Sequence, residues 1–333
     1  MRSRSTKHIP FLAVTCFVLT ACGIHPLPDD VTGLSTYNIV RQIRCETRQA
    51  VIDSLFTYLT SEANHDAGKV DDRSRQIGLS FQQLYNTNPQ TIRQFKPDAL
   101  SGFSKVVIGL LWSTGIAYNF DLNMVIVNNV DPSMKILRTL PQSGFSLGLQ
   151  GSFDRQRGNE RSFTVTDNFG NLINKTDARY CKDKIVEANV VYPIAGKVGM
   201  ERAVDDFLVL ALFGNLAGSD SKDVTAVKGP PTMVDQLEFK TTVSGTVNPS
   251  VTFSPGGPDF HISEAALGVT NSRTDTHKLT VGLYLDTSGV KQIEKARADI
   301  FLGLITAAGG PAEQGAATAV DQFLKQKIFR GEN

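Results

Sequence analysis

Ile116-Ala-Tyr118-Asn-Phe120-Asp-Leu122-Asn-Met124-Val-Ile126 decides the fold class. Every second residue is large and apolar, and Asn119, Asp121 and Asn123 between them are polar. Side chains of a strand alternate between two faces, so this stretch predicts a strand with one buried and one wet face. Phe145, Leu147, Leu149 and Phe153 repeat the pattern against Ser146, Gln150, Ser152 and Asp154, and Phe163, Val165 and Phe169 make a third run. Residues 155–161, with Gly158, read as the polar turn between the last two, and three such strands with short connections predict an antiparallel meander. A second β region has the same texture. Leu237, Phe239, Val243 and Val247 alternate with polar residues, and Val251 and Phe253 keep the phase. After a turn at 255–258, residues 260–269 and 279–285 supply two more runs, joined by the polar segment 270–277.

The flanks change period. Ile39, Ile43, Val51, Leu55 and Leu59 fall on one i, i+4 ladder broadened by Ile52 and Phe56, which predicts an amphipathic helix over 38–60 with Cys45 on its buried edge. Shorter helical stretches are expected at 74–85 and 89–95. Residues 200–216 read as a helix whose apolar second half is buried all round or capped by another element, and 290–304 and 312–329 as amphipathic helices. The fold class is therefore α+β: about six antiparallel strands in two groups of three, covered by amphipathic helices. Segments 37–198 and 199–333 share this plan, so pseudo-repeated halves are one reading. Default likeness of meanders is the other.

The N-terminus carries an address. Arg2, Arg4 and Lys7 precede an apolar run over 9–20, which as a helix covers about 18 Å, well short of a ~30 Å hydrocarbon core. It reads as a signal-peptide core and not as an anchor. Leu19-Thr20-Ala21-Cys22-Gly23 follows, and this stretch resembles the lipobox of bacterial lipoproteins. The resemblance implies removal of residues 1–21, diacylglycerol on the Cys22 sulfur and acylation of its new amino group. It also implies retention at the outer membrane, facing the periplasm, because Gly23 stands where an Asp would hold the protein at the inner membrane. An ordinary secretory signal cut near Ala21 is the alternative. Residues 22–36, with Pro26 and Pro28, read as a tether to an α+β periplasmic domain over 37–333. The membrane, through the lipid on Cys22, and an envelope protein are the expected partners.

The chain has 34 Lys+Arg against 33 Asp+Glu. Residues 1–21 hold three cations and no acid, so their removal takes the formal charge from +1 to −2 and leaves no polybasic binder. Of four cysteines, Cys16 leaves with the signal and Cys22 is lipidated. Cys45 and Cys181 remain, either as a disulfide or as two buried thiols.

Chemistry is sparse. Gly144-Phe-Ser146-Leu-Gly148 satisfies G-x-S-x-G, but the nucleophile elbow needs a strand-to-helix turn, and Ser146 falls on the polar face of a strand. Asp154 with His261 or His277 would complete a triad only on paper. His65, His261 and His277 lack partners at ligand spacing and read as surface or turn residues. Asp71-Asp72, Asp205-Asp206 and the Asp220/Asp223 pair do not follow a calcium-loop pattern and read as surface charge. No phosphate loop, dinucleotide fingerprint or basic-aromatic strip exists, so no nucleotide, nucleic acid, metal or cofactor is expected. Six strand-like runs interrupted by a helix fall short of a transmembrane barrel. The expected function is a non-enzymatic binding or envelope-assembly role for an anchored lipoprotein. A periplasmic serine hydrolase and a small-molecule- or lipid-binding lipoprotein are the rivals.

Overall fold

The structure, a computed structural model, describes residues 25–140, 142–177, 179–181, 189–213, 216, 231–253, 259–285, 315, 319, 320, 322 and 323. The segment 1–21, Cys22, the Asp220/Asp223 pair and the expected helix 290–304 lie outside the described residues. Of the expected helix 312–329, the five described residues are helical.

Helix α1, Thr36–Thr60, starts where the Ser35 hydroxyl accepts the Asn38 amide, satisfying one of the orphan donors of a helix N-terminus. Its ladder residues Ile39, Ile43, Val51, Leu55 and Leu59 are all buried, and Thr47 supplies the missing rung. The Thr47 hydroxyl is satisfied by donating to the Ile43 carbonyl at 2.9 Å. Helix α2, Asp72–Thr87, is capped by Asp71 and crosses α1 at Gly78, where a Cβ would stand 2.7 Å from the Leu59 Cβ. Residues 89–95, expected to be helical, form only the short 3-10 turn Thr91–Gln94. Helix α3, Gly102–Ser113, was not foreseen, because its apolar run VVIGLLW shows no contrast between faces. Helices α4, Phe169–Asn174, and α5, Met200–Phe213, follow, and the short helices Asp29–Thr32 and Glu62–Asp66 flank α1. Val209 and Leu210 of α5 are half exposed, so of the two expectations for this helix end, burial all round is not met at these positions.

The strands β1 Gly115–Leu140, β2 Ser143–Gln150, β3 Phe153–Asn168, β4 Thr232–Val247, β5 Ser250–Thr252 and β6 His261–Tyr284 form one sheet. Its order is β2-β1-β6-β4, with β3 also on β1 and β5 also on β6. Ser133 pairs with Gln150, and Asn119 reaches Thr164 in the same register. Residues 143–168 are therefore one strand broken at 151–152 along a single edge of β1. β4 and β5 share an edge of β6 in the same way, so each group of three is one long hairpin. The segments 155–161 and 270–277, expected as turn and connection, lie inside β3 and β6. Around 155–161 both faces of β3 meet solvent, so nothing there requires the apolar alternation that marks a half-buried strand.

The chain divides into two compact units. One comprises the described residues of 31–123, 160–242 and 274–323. Its core is Ile116, Tyr118, Phe120 and Leu122 of β1, Leu279, Val281 and Leu283 of β6, Phe169 and Ile173 of α4 and the buried face of α1. The other comprises the described residues of 124–159 and 243–273 with 25–30, and its strands carry half-exposed apolar side chains. No described helix is long and apolar enough to cross a membrane.

Candidate functional site

Five consecutive residues of α1, Arg44-Cys45-Glu46-Thr47-Arg48, tie the helical unit together. The Arg44 guanidinium donates from Nε and Nη2 to both oxygens of Asp167, at 2.6 Å each, and from Nη1 to the Tyr180 hydroxyl at 3.1 Å. The hydrogen-bonded Asp167 carboxylate pushes the Arg44 pKa further up. Cys45 stands at bonding distance from Cys181, with Cα atoms 5.5 Å apart, the geometry of a disulfide. Glu46 is buried, and its carboxylate accepts the amides of Val198, Gly199 and Met200 at 2.8, 2.7 and 2.9 Å. That places a negative charge on the positive end of the α5 dipole. The Arg48 Nε donates to the Leu172 carbonyl of α4 at 3.1 Å, and burial pulls its pKa down. Sequence reasoning found only Cys45 here. Charged residues score as a solvent face in a hydropathy pattern, although Thr47 on the apolar ladder was a signal that this turn is enclosed.

Beside this hub, α1, α3 and α5 enclose a cavity of about 340 Å³. Ile108, Leu111 and Leu208 give it an apolar floor, and Asp53, Glu201 and Asp205 an acidic rim. Ser54 donates to Asp205 at 2.5 Å and Gln49 to Asp53 at 2.8 Å. Burial raises the Asp53 pKa, the Glu201 and Asp205 carboxylates add to the rise, and the Gln49 bond opposes it. Apolar pockets with a few convergent polar groups are the common form of small-ligand sites, and three clustered carboxylates select for positive charge. Asp205, read from sequence as plain surface charge, is thus a rim residue.

The other sequence candidates are not gathered into one place. Ser146 sits within β2 opposite Leu137, on an exposed extended strand and not on a strand-to-helix turn. His65 pairs with Asp72 at 2.8 Å. Asp71 caps α2, accepting the Ser74 amide at 3.0 Å. His261 lies in β6 with its Nδ1 3.0 Å from the Asp259 carbonyl. His277, expected at a surface or turn, is buried in β6 against the Tyr192 hydroxyl, which donates to Asp275 at 3.0 Å. Among the described residues no three His, Cys, Asp or Glu side chains are grouped to hold a metal ion.

A family described as "Uncharacterised protein y4kA" matches residues 25–300. A protein of the same description from Sinorhizobium fredii is 30% identical over 285 residues, which cover 83% of this chain and 82% of the relative. By both measures the chain belongs to the y4kA family.

Proposed function

We propose that the protein is a lipid-anchored envelope protein, held by acyl chains on Cys22 to the outer membrane with its folded body in the periplasm, where it performs a binding or assembly role and no catalysis. The carrying observation is the stretch Leu19-Thr20-Ala21-Cys22-Gly23 behind a short apolar run with a basic start. Several acyl chains on one residue give a stable anchor, whereas one binds only marginally. The cysteine pair across 136 residues fits an oxidising compartment.

The test is Cys22→Ser. The variant should lose acyl labelling and leave the membrane fraction, and persistence of labelled, membrane-bound protein would overturn the anchor. Cross-linking in intact cells, followed by identification of the captured envelope proteins, tests the assembly role.

A second reading is a small-ligand-binding lipoprotein, favoured by the acidic-rimmed cavity. Its ligand would be an amphiphilic cation, with apolar body on Ile108 and Leu111 and charge toward Asp53 and Glu201. A thermal-shift series of alkylammonium ions should raise the melting temperature of the wild type and not of Asp53→Asn. No shift in the wild type would remove this reading.

A further inference from the structure

In the unit built from 124–159 and 243–273 the two faces of the sheet differ in chemistry. Leu147 pairs with Ile136, Leu149 with Met134 and Phe145 with Arg138, so the even-numbered residues of β1 share a face with the odd-numbered residues of β2. A Cβ on Gly158 would touch the Val125 side chain, which puts the odd residues of β3, Phe153 included, on that same face. A Cβ on Gly268 would meet the Asp131 side chain, so Leu267 joins them, and Val251, paired with Ala265, joins in turn.

This face exposes Leu140, Phe145, Leu147, Leu149, Phe153 and Val251, with Phe153 63% accessible. The opposite face carries Ser133, Lys135, Gln150, Asp131, Asp154 and Glu264. Exposed apolar side chains gathered on one face of a sheet and flanked by charge mark an interaction surface. The apolar face also carries Arg138, Arg155 and Arg157, whereas the acids Asp131, Asp154 and Glu264 lie on the other.

The chain leading to Cys22 is held on the apolar side. The Asn159 amide donates to the Pro26 carbonyl at 2.9 Å, and the Arg273 Nη2 to the Leu27 carbonyl at 2.6 Å, while Arg273 also meets Asp30 at 3.5 Å. Asn159 and Arg273 are odd-numbered residues of β3 and β6, on the same face as Phe153 and Leu267. Pro26 is four residue steps from Cys22, and an extended chain covers at most about 3.6 Å per step, or about 14 Å in all.

We propose that the apolar face of this sheet lies on the bilayer into which the Cys22 acyl chains insert. The inference rests on the lipid-anchor reading: acyl chains tethered within about 14 Å of one face hold that face, and not the acidic one, beside the membrane. Arginines with long aliphatic stems keep their charge among anionic headgroups while apolar neighbours reach the acyl boundary. The sheet rests on the interface and does not enter it, because the edges of an open sheet cannot be satisfied in hydrocarbon.

Two single cysteines test this in the full lipidated protein, reconstituted in vesicles of phosphatidylethanolamine and phosphatidylglycerol. Leu147→Cys places a thiol on the apolar face and Ser146→Cys one on the polar face, both on an exposed strand. Each is labelled with an environment-sensitive fluorophore. The label at 147 should shift to the blue and be quenched by a lipid-borne quencher, while the label at 146 should report water. Equal, water-like signals from both, with acyl labelling of Cys22 intact, would overturn the proposal and leave the anchor standing. A blue-shifted but unquenched label at 147 would assign the face to a second copy and equally overturn it. Loss of acyl labelling and of vesicle attachment would bring down the anchor reading, and the proposal with it.

Discussion

Glu46 shows what a single buried charge does in this chain. Its carboxylate satisfies three backbone amides at the start of α5, of which that of Met200 is buried and would otherwise be an orphan donor. Hydrogen bonds to a charged group contribute about 1.5–3 kcal/mol each, and removing one partner exposes the desolvation cost of the other. Glu46→Ala should therefore lower unfolding free energy by about 3 kcal/mol or more, read as a fall in the urea midpoint, and Glu46→Gln by less. An unchanged midpoint in Glu46→Ala would mean that water reaches those amides. Asp71 gives the pH-dependent counterpart. Burial opposes its charge, but hydrogen bonds from the Ser101 hydroxyl at 2.7 Å and from the Ser74 amide and hydroxyl prevail and hold its pKa below the usual carboxylate range. A carboxylate with a depressed folded pKa adds stability that is complete above its unfolded value, near 4, and is lost as the pH falls through the folded one. Asp71→Ala should cost about 1 kcal/mol at neutral pH, and its deficit against the wild type should shrink below pH 4. Neither role could be read from sequence. Glu46 scores as solvent face in any hydropathy pattern, and Asp71 looks like half of a charged pair until the turn it caps is in place.

Helices and strands were legible in proportion to the contrast between their faces. The ladder of α1 and the alternation at 116–126 were plain because one side is buried and the other wet. Residues 155–161 read as a turn because β3 there is wet on both sides, and α3 leaves no periodic mark because its sequence shows no polar stripe. Packing between elements leaves even less trace. α1 and α2 approach closely where Gly78 faces Leu59, yet a glycine inside a helix looks from sequence only like a weakness. Gly78→Val should lose about 1–3 kcal/mol through overpacking, seen as an earlier urea transition, and a neutral result would show that the two helices can move apart at no cost. The link from Cys45 in α1 to Cys181 closes a loop of 136 residues. Reduction should lower stability by about 2–4 kcal/mol, and equal unfolding midpoints with and without reductant would argue against a bond.

Across the molecule, one sheet serves two units with different protection, and β1 runs through both. From 116 to 122 its even-numbered side chains are fully buried, with Ile116, Tyr118, Phe120 and Leu122 at 0% exposure. From 134 to 140 the same strand keeps its hydrogen bonds to β2 but has exposed or half-exposed side chains. Opening a strand segment costs its ladder bonds and whatever apolar area it uncovers. Ladder bonds contribute only about 1 kcal/mol net each, while a large apolar side chain moved from core to water costs about 1.5–3 kcal/mol. The free energy of local opening should therefore drop along β1 from the first stretch to the second although the pairing continues. In the Cys22→Ser chain, free of membrane, amides at 116–122 and 279–283 should exchange with solvent deuterium orders of magnitude more slowly than those at 134–140 and 145–149. Uniform protection along β1 would mean that the 124–159 and 243–273 strands have cover in solution that burial does not account for. It would then require a second copy on the exposed apolar side chains even without lipid.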